Sequence, residues 1–151
     1  MEAARAAAGY AEGMHDTRYV DAGTTLLRVS LGALMLLHGI HKLRHGIEGI
    51  MGQLASHGLP TALGYGVYVG EVIAPLMLIA GVFTRLAALT VAGTMAVALA
   101  LVHSHELFTL NPKSGALAIE LPVLFLLASL AVALLGPDRH ALGRRIRGLR
   151  G

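Results

Sequence analysis

The sequence predicts an all-α integral membrane protein, a four-transmembrane-helix bundle with both termini in the cytoplasm. Three observations carry that prediction. Of 151 residues, 55% are hydrophobic and only 14% charged, against about 25% charged in an average soluble domain. Four apolar segments follow one another, each close to the roughly 20 residues that cross a bilayer core of about 30 Å. Basic residues also favour one set of connections over the other, which gives the spans a direction. A disordered chain and an ordinary soluble enzyme are poor fits to this composition. With no cysteine, the chain has no disulfide, thiolate metal ligand or dithiol relay of its own.

Residues 1–23 are polar and small, with Glu2, Arg5, Glu12, Asp16, Arg18 and Asp21 spread through them. No apolar stretch follows a basic start, so a cleavable signal peptide is not expected. The segment is expected to be a cytoplasmic extension, helical in part of its Ala-rich opening. The spans themselves cover about residues 24–42, 65–83, 86–102 and 117–136, and a basic tail occupies 138–151. A buried core helix is the plain alternative for any one span. Four in so small a chain leave nothing polar to bury them against.

Arg5 and Arg18 precede the first span, and Arg85 lies in the tight turn between the second and third. The tail adds Arg139, Arg144, Arg145, Arg147 and Arg150, whereas the other two loops hold only Lys42, Arg44 and Lys113. The positive-inside rule therefore places both termini in the cytoplasm. A pI near 9.7 invites a nucleic-acid partner, but the tail sits where anionic lipid headgroups would hold it. Lipid, not nucleic acid, is the expected partner.

Small residues predict close packing. Ala88, Ala92, Ala96 and Ala100 recur every fourth residue in the third span, and Gly32 and Gly39 offer the same in the first. Pro75 and Pro122 are expected to break the hydrogen-bond ladders of spans two and four, freeing the carbonyls of Glu71 and Ala118. A faint duplication relates Arg28 and His38 of the first half to Arg85 and His103 of the second.

Direction gathers the titratable groups. His38, His41 and Lys42 end span one on the outer side. Glu71 lies about 9 Å into span two, His103 and His105 close span three, and Glu120 opens span four. Lys42, His38 and His45 continue the Leu31–Met35 stripe, which should face the interior. Lys42 is then placed to pair with Glu71 or Glu120. A lone intramembrane carboxylate costs several kcal/mol unless paired, neutral or used, which makes Glu71 the leading functional residue. His41, His45, His57 and His105 fit wet loop positions, and Arg28 is expected to snorkel to the inner headgroups. A structural Lys42–Glu71 ion pair is the plain alternative for the whole cluster.

Three chemistries suit such a cluster. Imidazoles and carboxylates can hold a divalent metal, although no HExxH or ExxH spacing occurs on any span. His38 and His103 on different helices can ligate a haem iron. A quinone needs donors such as His, Lys or protonated Glu at one end of an apolar pocket. Polar groups gathered at one membrane face of a lipid-open bundle suit the quinone best, and also suit a transporter or lipid binder.

Arg28, the His38-Gly39-x-x-Lys42-Leu43 end of span one, and Glu71 form an ordered pattern. It continues through Gly81-x-x-Thr84-Arg85-Leu86-Ala87-Ala88, His103, Glu120 and Gly136-Pro137-Asp138. This pattern resembles the DoxX family of small four-helix bacterial membrane proteins, over roughly Leu26 to Leu142. The resemblance implies a multi-pass protein of the bacterial cytoplasmic (inner) membrane. It also implies a link to quinol oxidase, thiosulfate–quinone oxidoreductase and oxidative-stress complexes. By position, Arg28, His38, Lys42, Glu71, His103 and Glu120 match the family's recurrent polar residues.

The leading expectation is a subunit of a quinone-linked oxidoreductase system. Glu71, His38, His103, Glu120 and Lys42 are its catalytic candidates, and His38, Lys42, Glu71 and His103 its cofactor-binding ones. Electrons would come from a partner protein or a bound cofactor. A redox protein partner or a homo-oligomer is expected, and the small-residue stripe suits either intrachain packing or a homodimer. The alternatives are a non-catalytic membrane anchor for a redox partner and a small-molecule carrier.

Overall fold

The computed structural model describes residues 2–102, 109–110 and 115–144, with side chains from residue 17 onward. It is all-helical, and among the described residues there is no strand, only an isolated bridge between Leu110 and Leu117. Helix α1 (Glu2–His45) has 44 residues. At 1.5 Å per residue it runs about 66 Å, twice a bilayer core, so its polar start projects well beyond any span. Its apolar part is Thr17–His45. The Ala-rich opening, with no proline or glycine pair to interrupt it, is helical from Glu2 onward.

Helix α2 (Glu48–Ser56) is short and was not anticipated. Ile47, Ile50, Met51 and Leu54 recur at the helical period there, and Ile47 and Leu54 are buried. Composite helix α3 (Thr61–Ala80) starts as a tight 3-10 segment over Thr61–Tyr65 and turns into π geometry over Val69–Ile73. Pro75 explains the widening. It has no N–H to offer the Glu71 carbonyl, so the ladder cannot stay in α register there. Gly81, at φ 72°, then closes α3 in the left-handed region that glycine adopts without strain.

Helix α4 (Thr84–Leu101) and helix α5 (Glu120–Leu135) complete the bundle. The apolar part of α1, α3 and α4 are each long and apolar enough to cross a membrane, while apolar α5 has 16 residues. Helix α5 starts three residues later than the span expected over 117–136. Pro122 therefore stands in its first turn, where N–H groups lack intrahelical partners anyway, and interrupts no ladder. The expectation that it frees the Ala118 carbonyl is corrected accordingly.

The helices form a ring in which α1 packs on α3, α3 on α4, α4 on α5 and α5 on α1. Leu31 and Met35 of α1 meet Leu78 of α3, Val91 and Met95 of α4, and Phe125 and Val132 of α5 in the core. Small residues set the spacing. A Cβ on Gly32 would come within 2.9 Å of the Pro75 carbonyl, and one on Gly39 would overlap the Glu71 carbonyl. The Ala stripe divides: Ala88 and Ala92 are buried, whereas Ala96 and Ala100 are exposed. Large apolar side chains such as Leu37, Leu86, Leu127 and Leu134 cover the outside. Such a surface suits hydrocarbon rather than water.

Candidate functional site

Among the described residues two ion pairs stand apart in the bundle, one partly and one fully buried. Near the end of α1, Lys42 Nζ pairs with Glu71 Oε1. The Glu71 side chain is 4% exposed and that of Lys42 28%. Lys42 continues the Leu31–Met35 stripe about two turns further along, and so points at α3 as the periodicity required. Glu71 stands at the midpoint of α3, deeper than the expected 9 Å, because that helix begins at Thr61 rather than Tyr65. Its backbone is held from both sides. Gly39 of α1 lies against the Glu71 carbonyl, and Gly70 lies against Thr94 of α4.

Among the described residues only one Glu71 oxygen is engaged: Oε2 is buried and has no hydrogen-bond partner among them. The Lys42–Glu71 pair borders a cavity of about 780 Å³ between α2, α3 and α4. Its wall is otherwise mostly apolar: Ile50, Leu54, Leu63, Val67, Val97 and Leu101 contribute, with Gln53 and Thr94 as the other polar side chains. Helix α2 forms one side of this space. An ion pair with one unused acceptor, set in a greasy pocket, can donate through Lys42 and accept through Glu71 at a single point.

The other expected site residues are placed apart. His38 is exposed, its Nδ1 within 3.0 Å of the Leu34 carbonyl and its ring edge-on to Phe125 at 5.4 Å between centroids. It faces α5 rather than the cavity, and His45 is likewise exposed. Of the three polar residues expected to continue the inward stripe only Lys42 does, and the expectation for His38 and His45 is corrected. His41 and His45 do share a face, their rings stacked at 4.2 Å. Glu120 is exposed at the first residue of α5 and does not border the cavity. His103 and His105 lie outside the described residues. Among the described residues no three His, Asp or Glu side chains come together as a metal group would require.

At the opposite end, Arg28 corrects the expectation of snorkelling. It is 2% exposed. Its Nε donates to Asp138 Oδ2 at 2.9 Å, and Nη1 donates to the carbonyls of Leu78 and Ile79, the latter at 3.0 Å. Those carbonyls lie in the last turn of α3, where the Leu78 carbonyl also accepts from the capping Gly81 N–H at 3.1 Å. The guanidinium thus adds to their hydrogen bonding and opposes the negative end of the helix dipole. A charge with a carboxylate and two carbonyls within reach has no reason to leave for the headgroups. Asp138, just beyond α5, also accepts from the His140 N–H at 2.7 Å. Burial raises its carboxyl pKa, but the Arg28 and His140 hydrogen bonds outweigh that and hold it below the ordinary value. Asp138 was assigned to the tail and missed as a partner. The signal was its place directly after Gly136-Pro137, where the chain turns back onto the bundle.

Fold and site together define a multi-pass helical membrane protein with a buried lysine–glutamate pair on an apolar cavity. The DoxX family model matches residues 23–104, which include Arg28, Lys42 and Glu71. The chain is also 32% identical over 114 residues to the Bacillus subtilis (strain 168) protein named "Putative oxidoreductase CatD", covering 76% of this chain and 79% of that one. No solved structure matches it. This protein belongs to the DoxX family.

Proposed function

We propose that the protein is a membrane subunit of a quinone-linked oxidoreductase system, binding a quinone or quinol in the cavity beside Lys42 and Glu71. One observation carries the reading: the buried Glu71 Oε2, which has no partner among the described residues, on an otherwise mostly apolar wall. A molecule with a hydroxyl on an apolar ring would supply the missing donor, and apolar side chains would hold the ring. The name of the Bacillus relative, an oxidoreductase, agrees in class.

The chain's own groups would handle protons. Glu71 Oε2 accepts a hydrogen bond from a ligand hydroxyl and can take its proton. Lys42 holds the carboxylate in place and has further N–H groups for a ligand carbonyl. His103 follows Val102 of the cavity wall directly in sequence and is proposed as the next proton carrier. His38 and Glu120, which lie away from this wall, are secondary candidates. The quinone couple supplies the redox chemistry when bound, and a redox protein partner exchanges the electrons. By charge distribution the reading places both termini in the cytoplasm and the protein in the bacterial cytoplasmic membrane.

The test is binding of a short-chain quinol analogue to the full chain in mild detergent, followed by ultraviolet difference spectra. Glu71→Gln should weaken quinol binding at least about tenfold, the scale of one charge-assisted hydrogen bond. Unchanged binding in both Glu71→Gln and Lys42→Met would overturn the reading in favour of a membrane anchor.

A further inference from the structure

We propose a second binding site, for the phosphate group of an anionic phospholipid, at the N-terminus of α4. It lies at the Arg28 end of the bundle and is independent of the Lys42–Glu71 cavity.

A separate cavity of about 760 Å³ opens there, bordered by Phe83, Thr84, Arg85, Leu135, Pro137 and Arg144 among others. Helix α4 has 18 residues and starts without a side-chain cap. Its first-turn N–H groups and the positive end of its dipole thus face this space unneutralised. An independent observation also points to a ligand. Thr84, a residue of the cavity wall, is 3% exposed, and its hydroxyl has no hydrogen-bond partner among the described residues. A buried hydroxyl left so costs about 1–3 kcal/mol, and a phosphate oxygen would accept from it.

The charges favour an oxyanion. Arg85 and Arg144 are both exposed on the wall, and among the described residues no acidic side chain borders the cavity. The nearby Asp138 is already engaged by Arg28 and the His140 N–H. Arginine suits phosphate because its planar fork can donate two parallel hydrogen bonds.

The rest of the wall indicates that the phosphate carries acyl chains. Phe83 is held at φ 46°, a left-handed conformation that is strained for a bulky residue, and its ring is 68% exposed. Leu86 and Leu135, also on the wall, are exposed and continue the apolar exterior of the bundle. A soluble phosphate would use the arginines and leave this apolar side bare. A phospholipid uses both.

The experiment is thermal unfolding of the full chain in mild detergent, titrated with phosphatidylglycerol, phosphatidylcholine or inorganic phosphate. Phosphatidylglycerol should raise Tm more than either of the others at equal concentration. Arg85→Gln/Arg144→Gln should weaken its apparent affinity about tenfold or more, and Thr84→Val should weaken it less. A tail control, Arg147→Gln/Arg150→Gln, should keep the shift. The proposal is overturned if the shift survives in Arg85→Gln/Arg144→Gln. It is equally overturned if inorganic phosphate or phosphatidylcholine matches phosphatidylglycerol. Should the double variant fail to fold, Arg144→Gln alone serves, because that side chain is exposed, and an unchanged affinity there overturns the site.

Discussion

Lys42 and Glu71 are worth more as a pair than either is alone, because desolvation penalises each charge and only the partner offsets it. Replacing Lys42 by Met strands a carboxylate that is 4% exposed. Unfolding in detergent should then show a loss of about 3 kcal/mol, at the low end for a buried pair because Lys42 is partly exposed. Lys42→Met/Glu71→Met should recover much of that stability and still fail to bind quinol. Stability and binding would thereby separate. A purely structural pair would give no such separation.

Arg28 and Asp138 give a different signature. The Asp138 pKa is lower folded than unfolded, so its contribution is fully present above the ordinary carboxylate value near 3.8. It is lost as pH falls from there through the folded value. Stability should therefore be insensitive to this pair from neutral pH down to about 5, and fall below about 4. Asp138→Asn should lower stability at neutral pH and flatten that acid limb, measured as Tm against pH.

Among elements, the contact of α1 with α3 is set by glycines. A Cβ on Gly39 would overlap backbone of Glu71, which cannot rotate away as a side chain tip can. Gly39→Ala should separate the helices and cost about 1–3 kcal/mol, as overpacking does, with loss of quinol binding. Gly49→Ala is the contrasting case. Nothing lies within 4 Å of its Cβ direction on α2, so alanine there should stabilise by roughly 1 kcal/mol through helix propensity alone. Both are read from unfolding midpoints. Helix α2 also shows why a loop was expected over 43–64: its nine residues are too few for a span-length hydropathy window. Its apolar period was nonetheless visible in Ile47, Ile50, Met51 and Leu54.

At the scale of the whole molecule, the proposed membrane direction rests on where arginines gather. The natural absence of cysteine makes it directly measurable. In intact cells, Ser56→Cys should react with a membrane-impermeant maleimide and Arg150→Cys should not. The reverse pattern would invert the bundle.

The all-helical class, the apolar exterior and the charge asymmetry were legible in the sequence because each is a sum over neighbouring residues. Glu71 and Lys42 also stood out as charges at or within apolar spans, since a charge there is visible wherever it lies. Their pairing with one another rather than Lys42 with Glu120, and the capture of Arg28 by Asp138, were settled by the fold. Both depend on the rotational phase of packed helices, and a shift of a few residues in a helix start changes that phase. Glu120 shows the effect: α5 begins on it, leaving it exposed. His38 faces α5 through Phe125 for the same reason. Hydropathy along a chain carries no record of such phases, because they are set by contacts between residues far apart in sequence.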